Sequence, residues 1–145
     1  MSKGNTFENE LLEHILNNAN IPLIGDAAGL LASAADGSLY VSLHTADPGE
    51  TGAQNTSECT YTDYAREAIA RDGTGWTVTA NSASPQANID FTIASAGTET
   101  ATHWMVGTAS SGTGKQIYRG TISPNIAISV GVTPRLTTAS TITEE

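Results

Sequence analysis

Basic residues are scarce in this chain. Six Lys and Arg stand against 15 Asp and Glu, a net charge of -9 and a pI near 4.5. A nucleic-acid backbone is repelled by such a surface rather than held through counterion release. Cysteine is nearly absent: Cys59 is alone, so it cannot form an intramolecular disulfide. With no evident basic neighbour it reads as a small buried hydrophobe, not a nucleophile. Aromatic residues make up only 6 % of the sequence and charged ones only 14 %, so small neutral side chains are expected to cover the outer sheet faces. Long apolar runs are missing too, and none approaches the ~20 residues that cross a bilayer. Met1-Ser2-Lys3-Gly4-Asn5 leads into a charged segment where a secretory signal needs an apolar core, so synthesis in a cytoplasm is expected.

What is present is short alternation, cut by turns. In Leu39-Tyr40-Val41-Ser42-Leu43-His44 the apolar side chains fall on one face and Tyr40, Ser42 and His44 on the other, before Asp47-Pro48-Gly49 ends the strand. Further strands are predicted over 64–71, 76–80, 87–93, 101–108, 116–122, 126–130 and 133–143, separated by Gly-, Asn- and Pro-bearing turns. Residues 50–62, rich in Thr, Gln, Asn and Ser, read as an exposed, mobile excursion. About eight short strands without crossover helices point to a mainly β protein: an antiparallel β-sandwich or jelly-roll-like barrel.

The clear helix is N-terminal. Phe7, Leu11, Leu12, Ile15 and Leu16 recur at helical spacing, Asn5 and Glu8 resemble a capping box, and Asn17-Asn18 is a plausible stop. Residues 21–37 fit either a short helix or a loop, and serve as a connector. The expected organisation is therefore a helix and connector over 1–37 and one compact β-sandwich domain over 38–145.

No catalytic constellation stands out. Gly112-Thr113-Gly114-Lys115 departs from a phosphate-binding loop, since Ala109 replaces the first glycine, Gln116 follows the lysine, and no helix comes next. A hairpin turn is the simpler reading. The histidines, His14, His44 and His103, fall in separate elements, so no metal or cofactor is expected. No Gly-x-Ser-x-Gly elbow occurs. Asp63, Glu67, Asp72, Asp90 and Glu99 are the carboxylates that would have to pair for sugar hydrolysis, but acids that keep a sheet solvated are the plainer account. Trp76, Trp104 and Tyr40 are the residues a sugar platform would use; core packing is the better account of Trp76, which shares a face with Val78.

Four segments together carry a resemblance: Leu39-Tyr-Val-Ser-Leu-His-Thr-Ala-Asp-Pro-Gly-Glu50, Thr62-Asp-Tyr-Ala-Arg66, Thr102-His-Trp104 and Tyr118-Arg-Gly120. In their order and spacing, and in the helix that precedes them, they resemble a family of small tailed-bacteriophage virion proteins. The resemblance implies a non-enzymatic virion component made in the host cytoplasm. Its partners would be other virion proteins, capsid or tail subunits, with further copies of itself in a homo-oligomer, and neither nucleic acid nor membrane. The leading expectation is a capsid decoration or cement protein that bridges neighbouring subunits. The alternative is a tail, neck or fibre-associated accessory protein that contributes to host-surface recognition through loops near 49–62 and 110–114. In either role the helical stripe of Phe7, Leu11, Leu12, Ile15 and Leu16 is the candidate docking face, where burial contributes at most about 1.5–3 kcal/mol per side chain. The same stripe fits equally a helix that covers an edge of its own sheet.

Overall fold

The structure, a computed structural model, describes residues 1–145. One helix, α1 (Asn5–Asn17), precedes nine strands: β1 (Ser38–His44), β2 (Glu67–Ala70), β3 (Trp76–Thr79), β4 (Ser82–Pro85), β5 (Ile89–Asp90), β6 (Glu99–Gly107), β7 (Gln116–Ile128), β8 (Arg135–Leu136) and β9 (Ile142–Thr143). The chain is mainly β, with antiparallel pairing, consistent with the β-sandwich that the alternation predicts. No helix is long and apolar enough to cross a membrane. The backbone clusters into two compact units. Met1–Ser38, Ile69–Asn88 and Thr137–Glu145 form the first, Leu39–Ala68 and Ile89–Leu136 the second. The helix and connector thus share a unit with residues 69–88 and 137–145.

In the first unit α1 packs on β3 and β4, which form an antiparallel sheet in the order β3-β4-β9. Leu12 and Leu16 are 0 % exposed, while Phe7, Leu11 and Ile15 are half-buried. Leu12 and Leu16 therefore serve their own unit and keep no surface for a partner. The expected capping box does not form: Asn5 is already helical, Gly4 is the N-cap, and no side chain caps the end. The C-terminus stops where expected, at Asn18, whose left-handed backbone (φ 52°) turns its N–H onto the Glu13 carbonyl.

Two polar side chains then fix the connector. Asn18 exchanges bonds with the Ser33 backbone, Nδ2 to O at 3.0 Å and Oδ1 from N at 2.8 Å, and also donates to Asp36 Oδ1. Arg71 lays its guanidinium on the helix end, Nε to Ile15 O at 2.7 Å and Nη2 to His14 O at 2.8 Å, while its Nη1 reaches Asp36 O at 3.3 Å. A cation at this end meets carbonyls with no helical partner and the negative pole of the helix dipole. The connector itself is a loop rather than a short helix.

Strand β4 is missing from the sequence reading because Ser82-Ala83-Ser84-Pro85 offers no large apolar alternation. As the middle strand it is narrow by necessity, with Ala83 and Pro85 buried between its neighbours. The predicted strand over 133–143 is instead two short ones, β8 in the second unit and β9 in the first.

In the second unit β1, β6 and β7 are sheet neighbours in that order, and β5 pairs with β8. The strands predicted over 116–122 and 126–130 form one long β7, which contains a cis Ser123-Pro124 bond and shifts register against β6 between Ala101 and His103. Strand β1 is inner and buried on both faces: Val41 and Leu43 are 0 % exposed on one, Ser42 and His44 equally so on the other. A face that reads as polar in sequence is therefore interior. Leu16→Ala, which empties space beneath α1, is expected to lower unfolding free energy by about 2–5 kcal/mol in urea denaturation.

Candidate functional site

The polar residues at the end of β1 organise the surface that the second unit presents. His44 is wholly buried, its Nδ1 2.8 Å from Thr56 O and its Nε2 2.9 Å from Ser42 Oγ. Burial holds its pKa below the ordinary 6.5, although the Thr56 carbonyl and Glu58 pull the other way. Its cross-strand partner in the β1/β6 register is His103, so two histidines that look remote in sequence are neighbours. Asp47 closes the turn after β1 by accepting from Gly49 N at 2.9 Å, and it pairs with Arg119 at 2.7 Å on β7.

The excursion over 50–62 is tied down along its length, against the expectation of a mobile tip. Thr45 N bonds Ser57 O, and Cys59 N bonds Leu43 O. Gln54, 0 % exposed, donates from Nε2 to Tyr40 O at 2.9 Å and accepts from Ala109 N at 3.1 Å, while its own N–H reaches Gly114 O at 3.0 Å. Gly107 and Gly114 lie flat against its amide; a Cβ at Gly114 would stand 2.2 Å from Gln54 Oε1. The glycines of the β6–β7 hairpin therefore divide their roles. Gly112 turns the chain with φ +68°, and Gly114 makes room for a neighbour.

Arg66 completes the arrangement. Its side chain is 2 % exposed and grips Glu58 with two parallel bonds, Nε to Oε1 at 2.6 Å and Nη2 to Oε2 at 2.7 Å. Its remaining donors reach the β6–β7 hairpin at Ala109 O (2.8 Å) and Gly112 O (2.7 Å). Tyr64 bridges the same carboxylate to the sheet, donating to Glu58 Oε1 at 3.0 Å and accepting from Leu43 N at 3.0 Å. A planar fork with five donors can do this; an ammonium cannot. Over this cluster opens a depression of about 370 Å³, walled by Glu58, Cys59, Tyr64 and Arg66 on one side and by Ser110, Ser111 and Gly112 on the other. Its ionisable hydroxyl and thiol are held protonated. Burial and Glu58 push the Tyr64 phenol up, and burial with Glu99 pushes the Cys59 thiol up. The Cys59 side chain, 2 % exposed, is the small buried hydrophobe expected.

With this geometry in place, the comparison with known families is direct. The family model described as "Podophage GP4 fiber I protein gp80" matches residues 2–143. The chain belongs to this family. It is accordingly a phage structural protein of fibre type. No curated protein matches the chain.

Within this gp80-family chain, four of the five carboxylates singled out for hydrolysis are held in local hydrogen bonds or ion pairs. Asp90 pairs with Arg135, and Asp63 bonds Ser95 Oγ. Glu99 accepts from Thr60 N and Oγ1, and Asp72 caps its own turn at Thr74 N. Glu67 has its pKa raised by burial and by Asp90. Trp76 and Trp104, 1 % and 6 % exposed, leave no open ring face for stacking on a sugar. Lys115 sits in a hairpin, its N–H on Thr108 Oγ1. Gln54 and Glu58 are the two organising residues that sequence reasoning misses. Arg66 lies within the Tyr64-Ala65-Arg66 segment that carries the resemblance, but nothing in the polar stretch around Gln54 signals a buried amide.

Arg66→Ala takes the guanidinium from the Ala109 and Gly112 carbonyls and leaves Glu58 with the Tyr64 hydroxyl but no paired cation. It is expected to cost about 3–5 kcal/mol and to speed amide hydrogen exchange across 109–114. His44 gives a second expectation. Below its ordinary value of 6.5 the unfolded chain takes up a proton that the folded chain refuses, so stability present above 6.5 falls as the pH drops. Denaturation midpoints of His44→Gln should lack that slope as the pH falls below 6.5.

Proposed function

We propose that the chain is a non-enzymatic, fibre-associated accessory protein of the virion, and that the joined loops over 45–66 and 108–114 form its outward contact surface toward the host. The family match over residues 2–143, whose description names a fibre protein, carries the reading. The loop geometry supports it. Both loops are stitched together by Gln54 and Arg66, so their exposed Asn55, Ser57, Ser110, Ser111 and Thr113 stand on a stiff frame. Binding to a repeated surface then loses little loop entropy, and several copies on one particle multiply a modest affinity. Recognition by small hydroxyl and amide groups suits a polar partner such as a cell-wall glycan.

Capsid decoration is the second reading, and the hydrogen-bonded β1–β6–β7 sheet of the second unit supports it by offering a stiff surface to neighbouring subunits. Copy number separates the two. Gel quantification of purified particles is expected to give a handful of copies per particle, as befits a fibre or tail position. Hundreds of copies would favour decoration. Purified protein is further expected to bind host cells or their wall glycans, and Ser110→Arg with Ser111→Arg to abolish that binding without changing the thermal melt.

A further inference from the structure

Large apolar side chains left in solvent gather on one short segment of the first unit. Leu23 is 80 % exposed, Leu31 65 %, Leu30 44 % and Ile24 39 %. The segment that bears them is nonetheless built with care. Ile21, itself fully buried, exchanges two backbone bonds with Leu30, N to O at 2.9 Å and O from N at 2.8 Å, and so closes the loop at its base. Asp26 Oδ1 accepts from Ala28 N and Gly29 N at 2.9 and 3.0 Å, and Asn20 Oδ1 from Ala32 N at 2.7 Å. Gly29 has φ +69°, and a Cβ there would stand 1.9 Å from Ile21 O. Leu23 is held at φ 65°, a region that leucine rarely adopts. Side-chain caps at each turn thus fix a loop that buries Ile21 and offers leucines to water. Solvation alone favours polar residues at those places.

The charge of the first unit selects what can cover the loop. That unit holds eight Asp and Glu, Asp26 of the loop itself among them, against two basic residues, Lys3 and Arg71. The basic residues of this unit are already engaged, Lys3 with Glu144 at 3.0 Å and Arg71 on the helix carbonyls. A second copy would bring acid against acid, and an anionic lipid surface would be repelled likewise. We propose that the loop over 21–31 is a preformed apolar plug, and that its partner is a different protein of the particle that offers an apolar socket rimmed with Lys and Arg. The family assignment supplies only the setting, a virion; the plug and its partner's chemistry rest on the loop.

The test uses phage whose own copy of this protein carries Leu23→Asp and Leu31→Asp. Both positions face solvent, so the variant is expected to be soluble, with the circular dichroism and melting temperature of the parent. Its amount in purified particles is expected to fall at least about tenfold, and about 1 M NaCl should speed release of the parent protein from particles without stripping it completely. Normal incorporation of the variant overturns the plug, and a release rate that salt leaves unchanged overturns the basic rim. Self-association of the parent in sedimentation that the substitutions abolish, or its flotation with phosphatidylglycerol vesicles, overturns the partner named here. Absence of the parent protein from particles is a separate result, and it overturns the virion reading instead.

Discussion

Loops in this chain carry backbone carbonyls and amides into places that water does not reach, and long polar side chains meet those groups there. Arg66 is the clearest case. One buried guanidinium satisfies Glu58 and two hairpin carbonyls at once, so the loop after β1 and the hairpin between β6 and β7 hold a single geometry relative to each other. An unmet buried group costs about as much as a lost hydrogen bond or more. The arrangement therefore tolerates little sliding. Gln54 and His44 do the same with neutral groups, and in the first unit Arg71 and Asn18 apply the same solution to the end of α1.

Periodicity made the large features readable. The spacing of Leu12 and Leu16 located α1, and the alternation from Leu39 to Leu43 located β1. What periodicity cannot carry is the identity of a strand's second face. Ser42 and His44 look solvent-facing because they are polar, yet an inner strand buries both sides and satisfies them with each other. Strand β4 was hidden for a related reason: a middle strand in tight quarters selects small side chains, which leave no apolar signature. For the excursion over 50–62 the sequence offers composition alone. Composition reports which residues favour solvent, but not that one glutamine among them finds a buried set of partners.

The functional residues divide along the same line. The segment around Arg66 was conspicuous through its likeness to phage proteins, and the match to a fibre family over nearly the whole chain agrees with that likeness at the level of a virion structural protein. An amphipathic helix is the usual sequence signal for a docking face, and the α1 stripe carries that signal. Leu12 and Leu16 are instead spent inside, and the exposed leucines lie in the connector, where Asp26, Asn20 and Gly29 shape the backbone without any repeating pattern to announce it.

The three-stranded sheet of the first unit joins β4 to β9, which lie on either side of most of the second unit in the sequence. During translation, α1, β3 and β4 emerge long before Ile142 and Thr143 do. The sheet must wait, with one edge open, until those residues leave the ribosome. A ribosome that stalls or terminates early thus releases a polypeptide whose first-made portion is still unfinished. Loss of Ile142 and Thr143 alone therefore bares one edge of β4, a strand some distance away in the sequence.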